Sequence, residues 1–493
     1  MAAARRAGDS ADMPPDLPPS AASATALTAI PSIWRVLAPI ALGTLVVPLD
    51  TAVNIAFPPI TTHFGLELPQ IQWVVICYVL TYGSLMLGVG RLGDIFGHGL
   101  VFRLGLAWSA AAFLLCAAAP GYGWLLLCRV LQGIGAALVI GCGPALVTTP
   151  FPETMRGRML GLYALAFGAG GVLGPSVGGL LVQVFGWEAV FWGRAPLALA
   201  ALALLPRTLH AARPAAKREP FDAIGAALLA LAIGTVLLAM NQAQRLAQGE
   251  ALLPVLLALV AAAAVAGFLT WSPRSPRPLV DLSLFRLPGF ALLNAANALV
   301  NLAGFAVLLF VPYWLARIAG LSTVVSGLVL AAGPLGSMLA SAPAGWLVGR
   351  MAVPARVAWA GAALVGLGLL LIGAVWTPST PAALLVAALL VQGAGLGLFQ
   401  VAYTDIVTGT MRRTDRGVAG SLAMVTRTLG VVTAASLLTL LFEVREAAAL
   451  AAGATAKVAF LDAFRTAFLV SAAIPASVLL AAFVRRVGAG AGG

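Results

Sequence analysis

An all-α membrane protein with fourteen transmembrane helices is what this sequence predicts, on three observations. Of 493 residues, 61% are hydrophobic and 9% charged, against roughly 25% charged in an ordinary soluble domain. Apolar runs recur from Trp34 almost to the C-terminus, each close to the roughly 20 residues that cross a hydrocarbon core of about 30 Å. The basic residues fall in short loops at intervals, so the net charge of +12 is a topology signal and not a nucleic-acid surface.

The elements follow in order. Residues 1–32, rich in Ala, Pro and Ser, predict a disordered cytoplasmic tail, because the first apolar run starts too late and runs too long for a signal peptide. Spans are expected near 34–57, 71–90, 100–119, 122–147, 159–184 and 189–206, then near 222–241 and 251–271. A last set is expected near 289–314, 322–348, 357–376, 381–408, 418–442 and 463–484. With the N-terminus inside, 21 of the 29 Lys and Arg residues fall on the cytoplasmic side, as the positive-inside rule requires. Both termini are therefore expected in the cytoplasm and the chain in the inner, or plasma, membrane. Trp34, Trp187, Trp192 and Trp314 read as interface anchors.

Several chemistries are excluded. Cys77, Cys116, Cys128 and Cys142 lie inside apolar runs and read as packing residues. His63, His98 and His210 stand far apart, so neither a metal site nor a cofactor is expected. The phosphate-cradling GxxxxGK[ST] loop is absent, which leaves an ion gradient as the energy source.

Five segments carry more. GRLGDIFGHG, residues 90–99, sets Gly90, Leu92, Asp94 and Gly97 after the second run. Its glycines permit a tight turn, and Asp94 can accept hydrogen bonds from a helix N-terminus or an arginine. GWLVGRM, beginning at Gly345, repeats the pattern with Leu347 and Arg350 but has Gly349 in place of the acid. RVLQGIGAA puts Arg129 and Gln132 on one helix face with Gly133. GLYALAFGAGGVLGPSVGGLL carries Gly161, Gly170, Gly174, Pro175, Gly178 and Gly179, small residues that allow close helix contact beside a proline that bends the helix. PLDTAVNIAFPPI, residues 48–60, sets Asp50 and Asn54 four apart on one face.

Together these segments resemble the signatures of the major facilitator superfamily, and within it the fourteen-helix drug:proton antiporters of the EmrB/QacA type. The resemblance implies a major facilitator fold arranged 6+2+6, with an N-terminal six-helix bundle over 33–206 and two inserted helices with their flanking loops over 207–287. A C-terminal six-helix bundle over 288–485 and a short cytoplasmic tail over 486–493 complete it. The implied function is proton-coupled export of hydrophobic or cationic drug-like compounds, with small-molecule substrate, protons and lipid as partners and no nucleic acid. Gly90, Asp94 and Gly97 would serve the gate, and Gly170, Gly174, Pro175, Gly178 and Gly179 would go with antiport and limit proton leakage. Whether a periplasmic adaptor protein takes part is open at this level.

Asp50 is the coupling candidate on grounds independent of the family. It lies roughly 12 Å from the outer end of its helix at 1.5 Å per residue, a depth close to that of Arg129. A buried carboxylate beside an arginine is under opposed pressures from desolvation and the cation, so it can take a proton in one state and release it in another. A static Asp50–Arg129 pair that only joins two helices is the alternative. Asp405 and Arg427, at about 9 Å and about 14 Å from the cytoplasmic face, are expected as a secondary pair across the 412–417 loop, structural or gating in preference to a second proton site. An apolar substrate cavity is expected, with Asn54, Gln132, Tyr163, Phe167, Gln400 and Tyr403 as lining candidates, and Trp73, Tyr82 and Phe399 beside them. An exporter dedicated to one endogenous metabolite is the second reading. A receptor or membrane-embedded enzyme is the remote one, since neither an output domain nor a buried His/Cys/Asp cluster is evident.

Overall fold

A computed structural model describes residues 33–151, 153–206, 222–242, 251–276, 278, 282–287, 289–350, 354–410 and 416–490. The tail expected over 1–32 lies outside the described residues. Everything regular among those described is helical, with no strand. Eleven of the helices are long and apolar enough to cross a membrane, and three shorter apolar helices lie within 70–86, 189–204 and 227–236.

The first span is not one continuous helix. It runs as α1 (Ile33–Leu45), a 3-10 turn (Pro48–Thr51), α2 (Ala52–Ile55) and α3 (Phe57–Phe64). Prolines explain the breaks: Pro48 opens the turn and Pro58 stands at the start of α3, and a proline supplies no backbone N–H to the preceding turn. Asp50 sits in the 3-10 turn itself. Next come α4 (Leu68–Phe96), α5 (His98–Ala117), α6 (Tyr122–Thr148) and α7 (Glu153–Phe185). A second broken rod follows, α8 (Ala189–Trp192) and α9 (Ala195–Leu204), with Gly193 and Arg194 at the break and Pro196 just after it.

Then come α10 (Ala223–Gln242) and α11 (Leu252–Trp271), followed by α12 (Phe290–Arg317), α13 (Thr323–Arg350) and α14 (Ala355–Val375). The chain ends with α15 (Ala382–Thr410), α16 (Arg416–Ala451) and α17 (Ala456–Gly490). Helices α1–α9 pack mainly among themselves, as do α12–α17. The helices α10 and α11 pair with each other, and α10 packs on α4 and α16. The pair is clamped at one end by Asp222, whose Oδ1 accepts from the Gly225 amide at 2.9 Å and from Trp271 Nε1 at 2.7 Å.

The second group is welded by an aromatic stack. Trp314 is fully buried and lies 4.8 Å from Trp376, while Phe310 stacks on Phe442 at 4.9 Å and Phe464 lies 4.5 Å from Phe468. Trp314 and Trp187 are thus core residues and not interface anchors, because each finds aromatic partners inside the bundle; Trp34 remains 68% exposed. Toward the end where α12 begins, an uncharged ladder takes over. Asn294, Asn297 and Asn301 lie on one face of α12; Asn297 Nδ2 donates to Thr426 Oγ1 at 2.7 Å, and Tyr403 OH donates to Asn294 Oδ1 at 2.8 Å. Buried amides satisfied in this way add specificity without placing charge in a low dielectric.

The two groups meet along two main seams, α7 with α13 and α4 with α16, and through smaller contacts of α12 with α2 and α3 and of α13 with α2. Contact is tightest at the end away from the start of α1. A Cβ on Gly179 would run into the Thr323 carbonyl, and one on Gly327 into the Pro175 carbonyl. Farther along the same seam, a Cβ on Gly168 would still stand 3.4 Å from Met338, and one on Gly161, Gly345 or Gly349 would meet nothing within 4 Å. At the tight end Thr61 Oγ1 lies 2.6 Å from Tyr313 OH, and Thr439 Oγ1 lies 3.1 Å from Gln72 Oε1. The molecule is therefore closed at its far end.

The glycine face of α7 also grips the broken first span. A Cβ on Gly170 would lie 2.6 Å from the Leu45 carbonyl oxygen, one on Gly178 would lie 2.6 Å from Ala52 Cβ, and one on Gly174 would run into Thr51 Oγ1. Pro175 has no N–H, which frees the Gly171 carbonyl four residues back. Thr51 Oγ1 lies 3.2 Å from that carbonyl and 2.9 Å from the Pro48 carbonyl of its own turn, so its one proton is shared between the two.

Two outcomes are expected. Gly174→Val forces a branched side chain into Thr51, and overpacking of this kind costs about 1–3 kcal/mol, read as a lowered thermal midpoint in detergent. Cysteines placed at Gln72 and Thr439 are expected to be joined by a short bifunctional thiol reagent; absence of the cross-link would mean that the far ends stand apart.

Candidate functional site

From its 3-10 turn in the first span, Asp50 meets α6 at two residues one helical turn apart. Arg129 binds its carboxylate at both oxygens, with Nη1 donating to Oδ1 at 2.6 Å and Nη2 to Oδ2 at 2.7 Å. Gln132 Nε2 donates to Oδ1 at 2.8 Å. The guanidinium of Arg129 is itself pinned: Nε donates to the Val74 carbonyl of α4 at 2.7 Å, Nη1 also donates to Gln132 Oε1 at 2.7 Å, and the ring of Tyr78 lies 4.4 Å beneath. Bidentate, charge-assisted pairing of this type is the strongest that side chains make.

A third partner arrives from the second broken rod. Arg194 Nη1 donates to Asp50 Oδ1 at 2.7 Å, its Nε donates to the Val190 carbonyl at 2.8 Å, and its guanidinium lies 4.5 Å from the Phe113 ring centre. One carboxylate thus faces two guanidiniums, and the cluster carries one positive charge in excess. Arg129 is 0% and Arg194 4% exposed, whereas the Asp50 side chain keeps 13%. The acid is the most exposed of the three charged groups. Leaving one partner of such a buried pair uncompensated costs about 3–5 kcal/mol, so the charges belong to one unit.

Arg194 is not among the residues that the sequence motifs single out. Its signal is nevertheless present: a lone arginine within the apolar run 189–204 is costly in a bilayer and calls for a partner acid. Of the other expected residues, Asn54 is buried. Tyr163 is buried with its ring 2.6 Å from a Cβ placed on Gly143. Phe167 and Gln400 are half-buried. Tyr403 and Phe399 lie in the sealed core of the second group, Tyr403 through its bond to Asn294. The expected Asp405–Arg427 pair does not form in this structure, since both residues are exposed and no ion pair joins them. Gly90 and Asp94 lie in the last turns of α4, and Gly97, at φ 91°, breaks the chain between α4 and α5. Among the described residues no group of three His, Cys, Asp or Glu has metal-holding geometry.

The second half carries a discharged copy of the site. Gln392, Gly393 and Gly395 on α15 repeat the spacing of Gln132, Gly133 and Gly135 on α6, with Leu389 where Arg129 would stand. Counted back eight residues from Pro312, as Asp50 is from Pro58, the α12 position is Gly304. A Cβ there would lie 3.1 Å from Gln392 Nε2. The same helices thus meet at the corresponding place, without ions.

Comparison with known proteins agrees with this architecture. The family model described as Major Facilitator Superfamily matches residues 40–318. The riboflavin transporter RibZ of Clostridioides difficile is 28% identical over 403 residues, covering 80% of this chain and 85% of that protein. The tetracenomycin C resistance and export protein of Streptomyces glaucescens is 33% identical over 401 residues, covering 79% and 72%. In fold, the chain is similar to a bacterial homologue of the human lysosomal transporter Spinster, solved inward-facing and unoccupied, with a TM-score of 0.67, 17% identity, and coverage of 91% of this chain and 96% of that one. The chain is a transporter and belongs to the Major Facilitator Superfamily.

Proposed function

We propose that this transporter is a proton-driven antiporter that exports hydrophobic, drug-like compounds across the plasma membrane. The observation that carries the reading is Asp50, a carboxylate with residual exposure, clasped by Arg129 inside the bundle and seated on the Gly-Pro face of α7. A carboxylate so placed can exchange a proton for a rearrangement of its partners, and the α7 contact ties that rearrangement to the seam between the two halves. The similarity to an antibiotic resistance and export protein supports a drug-like cargo. Cationic compounds would meet a centre with one positive charge in excess, which favours uncharged hydrophobic ones. Phe167 and Gln400, half-buried, remain the lining candidates; Asn54 and Tyr403 serve packing.

The eleven long spans and three shorter apolar helices support a fourteen-span, 6+2+6 chain, with α10 and α11 as the inserted pair. The arginine-bearing loops support cytoplasmic termini. With that orientation the closed far end is the outer one, and the state is inward-open. Export of a single metabolite is the second reading, favoured by the similarity to a riboflavin transporter.

In inverted vesicles with an imposed pH gradient, addition of hydrophobic drugs is expected to dissipate the gradient for the wild type and not for Asp50→Asn. A correctly inserted Asp50→Asn protein that dissipates the gradient equally well sinks the coupling role. Response to riboflavin or another single metabolite alone, with drugs silent, selects the second reading.

A further inference from the structure

The two guanidiniums on Asp50 are held very differently. Arg129 stands two turns inside the unbroken helix α6 and spends its donors on both carboxylate oxygens, on the Val74 carbonyl and on Gln132. Arg194 makes one bond to the carboxylate. Its other bond goes to Val190, one turn back in its own rod, and so travels with it. Its Nη2 is buried without a hydrogen-bond partner.

The local backbone differs in the same direction. Arg194 stands at the break between α8 and α9, where its own amide bonds the Phe191 carbonyl in a tight turn at 3.1 Å. Pro196 cannot donate to the Trp192 carbonyl. Gly193 and Arg194 keep right-handed helical dihedrals. The tightened turn and the missing Pro196 donor nevertheless make this joint between α8 and α9 the least bonded stretch of the rod. Element-terminal residues of this kind absorb the dihedral change when proteins move.

Charge decides which contact gives way. Arg129 from α6 and Arg194 from the α8–α9 joint are the cations that face Asp50. Tyr78 from α4 and Cys116 from α5 are titratable groups within electrostatic reach, a phenol and a thiol that are uncharged at neutral pH by their ordinary chemistry. The α7 face against Asp50's turn contributes Gly170, Gly174 and Gly178. Neutralising Asp50 raises the cluster from one excess positive charge to two in a low dielectric, and like charges there repel strongly. One guanidinium must leave, and Arg194 has the least to lose.

We propose that Arg194 is the releasable counter-ion of Asp50: when Asp50 becomes neutral, Arg194 lets go while Arg129 stays, and the α8–α9 joint is the element that moves. Arg194 is then a positioning residue acting through Asp50. The inference rests on Asp50 being the proton site, but its test reads the joint directly and does not use transport.

Amide hydrogen exchange of the full chain in lipid nanodiscs, at one pH, separates the outcomes. Asp50→Asn mimics the neutral acid. Relative to wild type it is expected to exchange faster by about tenfold or more over 189–198, with 125–137 unchanged. Arg194→Gln is expected to show the same local loss, and adding Asp50→Asn to it should add nothing, because the bond is already gone. Arg194→Lys, which keeps the charge, is expected to recover part of the protection.

Loss of protection over 125–137 instead, or equal loss over both segments, overturns the proposal. So does an Asp50→Asn protein whose 189–198 segment is as protected as in the wild type, a result that needs no Arg194 variant to fold. If the vesicle assay shows no proton coupling while the joint still loosens in Asp50→Asn, the functional reading fails and the assignment of the releasable contact stands.

Discussion

A carboxylate buried between two guanidiniums is the constraint to which the first half of this protein is fitted. An ion in hydrocarbon is tolerated only when paired and hydrogen-bonded. Satisfying Asp50 requires a helix that breaks to present it, a continuous helix that brings Arg129 and Gln132 one turn apart, and a second broken rod that brings Arg194. The Val74 carbonyl and the Tyr78 ring then fix the first guanidinium from α4. Four separate stretches of chain are held in register by one acid.

The other half shows what the same helix arrangement does when that acid is absent. Gly304 and Gln392 meet where Asp50 and Gln132 would, and Leu389 fills the place of the arginine. Stability there comes from the aromatic stack and from the asparagine ladder of α12. Neutral amides and aromatic faces pack without a desolvation penalty for charge, so this half can be rigid and does not respond to protons at that place. The asymmetry divides the molecule into a half with a buried ionic cluster and a half whose corresponding place is uncharged.

Much of this is legible in the amino-acid sequence. Hydropathy locates the helices, since lipid enforces apolar runs of set length, and depth along the helix pairs Asp50 with Arg129. The glycine spacing of α7 announces close packing. Other features are hidden for physical reasons. The breaks at Pro48 and at Gly193–Arg194 leave the hydropathy of a span unchanged, so both runs read as continuous helices. Arg194 lies in a run whose average conceals one charge. The depths of Asp405 and Arg427 permit a pair, but depth says nothing of azimuth, and both side chains are exposed. Trp314 looks like an anchor because position along a span cannot distinguish a lipid-facing ring from a core ring; its neighbours Trp376 and Phe464 decide that.

The contact of Thr51 with the Gly171 carbonyl gives the glycine-rich face of α7 a mechanical meaning. Pro175 strips that oxygen of its donor within α7, and the Thr51 hydroxyl, 2.9 Å from the Pro48 carbonyl of its own turn, also comes within 3.2 Å of it. The turn that carries the acid and the helix that lines the seam are thereby yoked as a single lever. A tilt of α7 at the seam drags the turn that carries Asp50 with it, and a pull on that turn is delivered to the seam without an intermediate linkage.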